Sequence, residues 1–324
     1  MKRILVTGAA GQLGSELVPA LRARYGEGNV VASDIRRPGE ALAGSGPFET
    51  IDCTDGGALA EAVARYRVDT IFHLAAILSA AAEQDPQKAY RVNLQGLYAV
   101  LEVARAYGCA VFTPSSIAVF GPGTPADPAP QDTIQRPTSM YGVTKVAGEL
   151  LCDYYHRRYG LDTRGLRYPG LISYVAPPGG GTTDYAVEIF HDALERGRYT
   201  SYLAPDTQLD MMYMPDAVRA AIELMEADPA RLRHRNAYNV TAMQLTPARL
   251  AEAIRRHIPG FEIDYDVDPV RQAIADSWPR RLDDSAAREE WGWRPAYDLE
   301  AMTADMLARL RERRGRAAAS ATSS

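Results

Sequence analysis

Cysteine is scarce in this sequence. Cys53, Cys109 and Cys152 are the only three in 324 residues. An odd count without paired spacing argues against a disulfide framework and leads us to expect a reducing, cytoplasmic location. The five histidines, at 73, 156, 191, 234 and 257, are scattered, so no metal site is expected. Long apolar runs are missing too: none reaches the roughly 18 residues of a membrane-spanning helix, and no membrane contact is expected. The opening MKRILVTG runs straight into a strand pattern, so no signal or transit peptide is expected. An excess of positive charge is also lacking. The formal net charge is −5, which leaves no electrostatic footprint for nucleic acid. Lysine is rarer still for a common residue. Lys2, Lys88 and Lys145 are the only three, and every other basic residue but histidine is arginine.

What is present is ordinary for a globular chain: 46% hydrophobic and 24% charged residues. The first half alternates short apolar runs with helical patterns. Strands are expected at Ile4–Thr7, Asn29–Ser33, Thr70–Ala75 and Ala110–Pro114. Helices are expected at Glu16–Tyr25, Leu59–Tyr66 and Asn93–Tyr107, with another over Thr138–Arg158. That alternation predicts an α/β fold of Rossmann type, a doubly wound parallel sheet, with a smaller α/β substrate domain. Residues 1–169 and 211–237 are assigned to the nucleotide domain, and 170–210 and 238–312 to the substrate domain. The stretch 313–324 reads as a flexible tail. Gly121–Pro137 holds five prolines and reads as a surface loop. Pro177–Thr183 is a glycine-rich loop. It leads into a helix at Asp184–Arg196 that Thr183 or Asp184 is expected to cap. A further helix is expected at Pro247–His257.

The first strand ends in Thr7-Gly8-Ala9-Ala10-Gly11-Gln12-Leu13-Gly14. Gly8 permits a tight turn, Gly11 lets the backbone approach a pyrophosphate, and Gly14 lets helix pack on strand. The helix start then offers free N–H groups to the phosphates. Asp34 follows 20 residues after Gly14 and suits an adenosine ribose hydroxyl. A carboxylate there repels a 2′-phosphate, so NAD is expected over NADP despite Arg36 and Arg37.

Tyr141 and Lys145 stand four apart, on one face of a helix. With 18 tyrosines and three lysines in the chain, chance supplies only roughly 0.2 such pairs. A nearby ammonium favours phenolate, which a tyrosine acting as a base near neutral pH requires. Thr113-Pro114-Ser115-Ser116 lies at a strand end, where a doubly wound sheet has its ligand crevice.

Together these residues resemble the short-chain dehydrogenase/reductase superfamily, in its extended, epimerase-like branch. The resemblance spans nearly the whole chain, through Leu282-Asp283-Asp284-Ser285 and Trp291-Gly292-Trp293-Arg294-Pro295. It implies Tyr141 as general base, Lys145 as its partner on the nicotinamide ribose, and Ser116 as the group positioning the substrate oxygen. It also implies a cofactor site of Gly8, Gly11, Gln12, Leu13, Asp34, Asp52, Cys53, Leu74, Ala75, Ala76, Asn93 and Tyr168, shared with Tyr141 and Lys145. The branch is often dimeric, so a homodimer through Asn93–Tyr107 and Thr138–Arg158 is expected.

Most of the branch acts on nucleotide sugars, but here the usual Arg-Tyr-Phe-Asn reads Arg167-Tyr168-Pro169-Gly170. The arginine that grips a diphosphate aligns with Leu209, so a smaller substrate is expected. The segments Tyr168–Ser173, Pro178–Ala193, Pro205–Tyr213 and Ser277-Trp278-Pro279 resemble one group in the branch, the short-chain L-threonine 3-dehydrogenases. That resemblance implies oxidation of the 3-hydroxyl of L-threonine by NAD. Ser79, Ser115, Thr182, Thr183 and Trp278 are the candidate substrate contacts. Two other readings stay open: a nucleotide-sugar epimerase or dehydratase, and a non-catalytic NAD-sensing regulator.

Overall fold

In the computed structural model, residues 1–37, 39, 42, 44–177 and 181–321 are described, with side chains as far as 316. The strands are β1 (Ile4–Thr7), β2 (Val30–Asp34), β3 (Phe48–Thr50), β4 (Thr70–His73), β5 (Ala110–Ser116), β6 (Thr163–Tyr168), β7 (Gly170–Ile172), β8 (Arg198–Ser201), β9 (Leu209–Tyr213), β10 (Tyr238–Asn239), β11 (Met243–Leu245) and β12 (Glu262–Tyr265). The helices used below are α1 (Gly14–Tyr25), α2 (Gly56–Tyr66), α3 (Gly96–Tyr107), α4 (Met140–Tyr159), α5 (Tyr185–Arg196), α6 (Met214–Glu226), α7 (Pro269–Asp276) and α8 (Leu299–Ala321).

Seven strands form one parallel sheet in the order β10-β6-β5-β4-β1-β2-β3. The order reverses between β1 and β4, so a crevice opens at their carboxyl ends. Alternate residues of each central strand feed opposite layers. Ile4, Val6, Phe72 and Phe112 pack with Leu17 and Leu21 of α1 and with α6. Leu5, Ile71 and Val111 pack on the other face with α2, α3 and Cys152 of α4. Burial on both faces explains why these strands read as continuous apolar runs.

A smaller unit carries its own core. Sheet β11-β9-β7 and the parallel pair β12-β8 pack with α5 and α8 around Phe190, Met211 and Met306. Tyr238–Asn239, assigned by sequence to the substrate side, pairs with β6 of the large sheet. The tail expectation is corrected over 313–321, where α8 continues to Ala321 on a run rich in arginine and alanine; residues 322–324 lie outside the described residues. The Asp184–Arg196 expectation is corrected at its start. The helix begins at Tyr185, and neither Thr183 nor Asp184 caps it with a side chain.

The two units meet beside the first turn of α1. Ser173 Oγ, just after β7, donates to Glu16 Oε1 at 2.5 Å. Burial pushes the Glu16 carboxyl up to about 7, against the Ser173 hydrogen bond and the Arg313 charge. A raised carboxyl pKa means that the unfolded chain releases this proton first. The contribution of Glu16 to stability therefore falls as pH rises from about 4.5 to about 7. Glu16→Gln removes that titration. Its melting temperature should gain on the parent's between pH 5 and pH 8, by scanning calorimetry, and a pH-independent difference would refute this.

Candidate active site

The glycine turn is fixed by contact. Gly8 has φ +73°, and a Cβ there would lie 2.5 Å from the Ala75 nitrogen, in the chain leaving β4. A Cβ on Gly14 would lie 2.6 Å from the Gly8 carbonyl, so the helix sits directly on the strand. At Gly11 a Cβ would meet only the Gly8 oxygen, at 3.1 Å. The backbone there is open toward the crevice, as close approach of a pyrophosphate requires.

Asp34 ends β2 and is buried. Its carboxylate accepts from the Ala10 N–H at 3.0 Å and from the Arg36 N–H at 2.9 Å, and it pairs with the Arg36 guanidinium at 3.2 Å. This anchors one carboxylate at the β2 end, beside the glycine turn. Asp52 is exposed and accepts from Thr54, while Cys53 beside it is buried against Gly96. The contents of the crevice thus fit a dinucleotide: a glycine turn, a helix start and a ribose-height carboxylate.

Asn93 sits in a π-helical turn, Arg91–Gln95, ahead of α3. Its amide oxygen accepts from the Ile77 N–H at 2.7 Å. Its nitrogen donates to the Ile77 carbonyl and to Thr144 Oγ1, each at 3.1 Å. Asn93 therefore positions the chain after Leu74-Ala75-Ala76 and ties it to α4. The Tyr168 hydroxyl donates to the Ala217 carbonyl at 2.7 Å, so its ring stays in the core, and only its backbone faces β5.

The reactive helix α4 starts at a fixed point. Ser139 accepts from the Gly142 N–H, and Glu83 accepts from the Met140 N–H. A Cβ on Gly142 would lie 2.3 Å from the Ala118 carbonyl, so the first turn is pressed onto the chain after Ser116. Tyr141, Lys145 and Glu149 then fall on one face. The Lys145 ammonium lies 5.5 Å from the Tyr141 ring centroid and donates to the Pro114 carbonyl at 2.8 Å. Thus the sequence-predicted Tyr141, Lys145 and Ser116 meet at the carboxyl end of β5.

The electrostatics differ in one respect from the sequence expectation. Burial pushes the Tyr141 phenol up to about 12, and only its hydrogen bond with Ser116 draws it down. The reason is geometric: the ammonium sits over the ring rather than at the hydroxyl. Lys145 itself is lowered by burial to about 8, against the attraction of Glu149. His73 is buried, shares a hydrogen bond with Thr7 at 2.8 Å and is pushed down to about 3, so it stays neutral. A narrow cavity of about 20 Å³ is bordered by Lys145, His73, Asn93, Thr144 and Glu149.

Sequence reasoning missed Glu149 and Arg167, which are both buried and paired at 2.8 Å. Glu149 also accepts from Gln135 at 2.7 Å and from the Ser115 hydroxyl. Ser115 is therefore turned into this network rather than toward a substrate. The spacing of Glu149, four residues beyond Lys145 on the same face, was a signal available in the sequence.

On the substrate side, Ser79 opens a short helix and is buried. Trp278 packs against both the smaller core and the Ile117, Val119 and Phe120 cluster that follows Ser116. Thr182 is buried, and the Thr183 methyl approaches Gly170. A Cβ at Gly170 would lie 2.4 Å from the Met211 sulfur and 2.7 Å from Thr183 Cγ2, so a larger side chain would displace Met211 and Thr183. Leu209 lies in the smaller core, 1% exposed. Pro178, Gly179 and Gly180 of the glycine-rich loop lie outside the described residues.

Comparison with known proteins agrees with this geometry. Residues 4–241 match the NAD dependent epimerase/dehydratase family model. An uncharacterized epimerase/dehydratase of Staphylococcus saprophyticus is 56% identical over 308 residues, 95% of this chain and 96% of that protein. The L-threonine dehydrogenase of Clostridium difficile superposes with a TM-score of 0.95 at 56% identity, covering 97% of this chain and 98% of that one. The holo form of an L-threonine dehydrogenase from Cupriavidus necator gives 0.92 at 52%, covering 95% and 99%.

Replacing Asp34 with alanine removes a hydrogen-bond acceptor and a repulsion at the ribose, and frees Arg36 for a 2′-phosphate. The ratio of kcat/KM for NAD to that for NADP should fall at least tenfold, and an unchanged ratio would show that Asp34 does not read the ribose. The crevice, its glycine turn and the Tyr141–Lys145–Ser116 group, with a family match over most of the chain, make this protein a member of the NAD dependent epimerase/dehydratase family.

Proposed function

We propose that this protein is an L-threonine 3-dehydrogenase, which converts L-threonine and NAD⁺ to 2-amino-3-oxobutanoate, NADH and a proton. One observation carries the choice of substrate. The positions where a nucleotide sugar needs an amide and a cation are a glycine packed against Met211 and Thr183, Gly170, and a core leucine, Leu209. A diphosphate has no counter-charge at either place, so a small substrate is favoured. The solved relatives named as L-threonine dehydrogenases support the same substrate.

In this reading Ser116 holds the reacting hydroxyl and Tyr141 takes its proton. When bound, NAD would supply the hydride acceptor and a positive charge. Lys145, kept charged in part by Glu149, holds the nicotinamide ribose in this reading, while Ser116 is the group that draws the phenol down. Thr182 and Thr183 hold the substrate carboxylate, Ser79 meets its polar end, and Trp278 walls the pocket. The fold is read as a nucleotide domain with a substrate domain, in a cytoplasmic protein.

The test is NADH absorbance with NAD⁺ and a panel of L-amino acids and UDP-glucose. L-threonine should reduce NAD⁺ and UDP-glucose should not be turned over. Tyr141→Phe should lower kcat by about 10²–10⁴-fold and keep NAD binding. Turnover of a sugar nucleotide, or a third of kcat left in the variant, would refute the reading.

A homodimer belongs to the same proposal. Tyr98 and Tyr107 on α3, with Val143, Leu150, Tyr154 and Tyr159 on α4, are all exposed, Leu150 by 61%. Glu102, Arg105, Asp153 and Arg157 supply both charge signs on the same two helices. A face of this kind is self-complementary about a two-fold axis. Light scattering should give twice the chain mass, and Leu150→Glu with Tyr154→Glu should give the monomer. A wild-type monomer would refute it.

A further inference from the structure

The junction between the glycine-rich loop and α5 has an unusual support. A helix start normally receives a side-chain oxygen from its own N-cap residue. Here the N-cap, Asp184, gives α5 none; its carboxylate instead accepts from the Gly181 N–H at 2.7 Å. The Tyr185 N–H is met from outside the helix, by the hydroxyl of Tyr202 at 2.7 Å. That hydroxyl also faces the carbonyls of Gly181 at 3.4 Å and Thr182 at 3.3 Å, to which it donates. One phenol thus accepts from the helix and donates to the loop.

Tyr202 comes from the chain just after β8, distant in sequence from the loop. Its ring is fixed in turn. The Arg271 guanidinium of α7 lies 4.2 Å above its centroid, and the Tyr185 ring meets it edge-on at 6.5 Å. Helix α7 ends at Asp276, immediately before Ser277-Trp278. Tyr202 therefore joins the two segments that the proposed function gives to the substrate, Thr182–Thr183 and Trp278. Nearby Tyr199 has the same chemistry but, among the described residues, spends its hydroxyl on Glu188, at 2.9 Å.

We infer that Tyr202 is a positioning residue for substrate: its hydroxyl sets the place of the Gly181–Tyr185 backbone, and so of Thr182 and Thr183. This rests on the functional reading above for the identity of the substrate, but not for the hydrogen bonds themselves. Tyr202→Phe keeps the ring and its stacking and deletes only the hydroxyl. The amide of Tyr185 loses its acceptor, and two carbonyls lose a shared donor.

The experiment compares wild type, Tyr202→Phe and Tyr199→Phe as full-length enzymes. Hydrogen exchange by mass spectrometry reads peptides over residues 181–190. Steady-state kinetics read KM for L-threonine, kcat and the Kd for NAD. For Tyr202→Phe we expect faster exchange over 181–186 and KM raised about 3–10-fold, the scale of one neutral hydrogen bond. Its kcat and NAD Kd should stay within about twofold, and Tyr199→Phe should change neither exchange nor KM. Unchanged exchange, or faster exchange with unchanged KM, overturns the inference. Should wild type fail to oxidise L-threonine, the functional reading falls, and the exchange measurement alone decides whether Tyr202 holds the loop.

Discussion

A carboxylate and a guanidinium, each about 8% exposed, hold the candidate site together. Glu149 lies on the same face of α4 as Tyr141 and Lys145. Through one carboxylate it reaches Arg167 of β6, Ser115 of β5 and Gln135 of the proline-rich loop. Arg167 extends the reach to the Gln131 carbonyl and Asn239 of β10. A buried ion pair is weak evidence for stability, because desolvation offsets the attraction. Its geometric consequence is stronger. Helix α4 and strand β5, which carry Tyr141, Lys145 and Ser116, are tied to the same pair. Removing one partner would leave a buried, uncompensated charge, at roughly 3–5 kcal/mol.

That arrangement also governs the charge at Lys145. Burial alone would drive the ammonium toward neutrality, and Glu149 opposes this. The ammonium is then fixed by the Pro114 carbonyl over the Tyr141 ring. In the protein alone the phenol is raised, not lowered. In the proposed reading, positive charge brought by a bound coenzyme would add to the Ser116 hydrogen bond in lowering the phenol.

Much of this was legible in the sequence because it rests on local rules. The glycine spacing and the strand before it are set by backbone sterics, and Asp34 after it ends the next strand beside that turn. The Tyr141–Lys145 spacing is set by the helical repeat, and the rarity of lysine made it conspicuous. What was not legible depends on long-range pairing. Tyr238–Asn239 is too short for any period to mark it as a strand, and it is one only because β6 offers an edge. Ser115 and Ser116 are adjacent and chemically alike. The pleat alone sends one to Glu149 and the other to Tyr141. The capping of α5 failed as a local expectation, since a tyrosine 17 positions away supplies the oxygen.

The central claim is that this site removes a hydride from the carbon bearing the hydroxyl of a small amino acid. The most direct measurement uses L-threonine carrying deuterium at its third carbon, with NAD⁺, and mass spectrometry of the reduced coenzyme. The account predicts one deuterium per molecule of NADH formed, with Tyr141→Phe forming almost none. Unlabelled NADH, or no reduction of NAD⁺ by a folded enzyme, would contradict it.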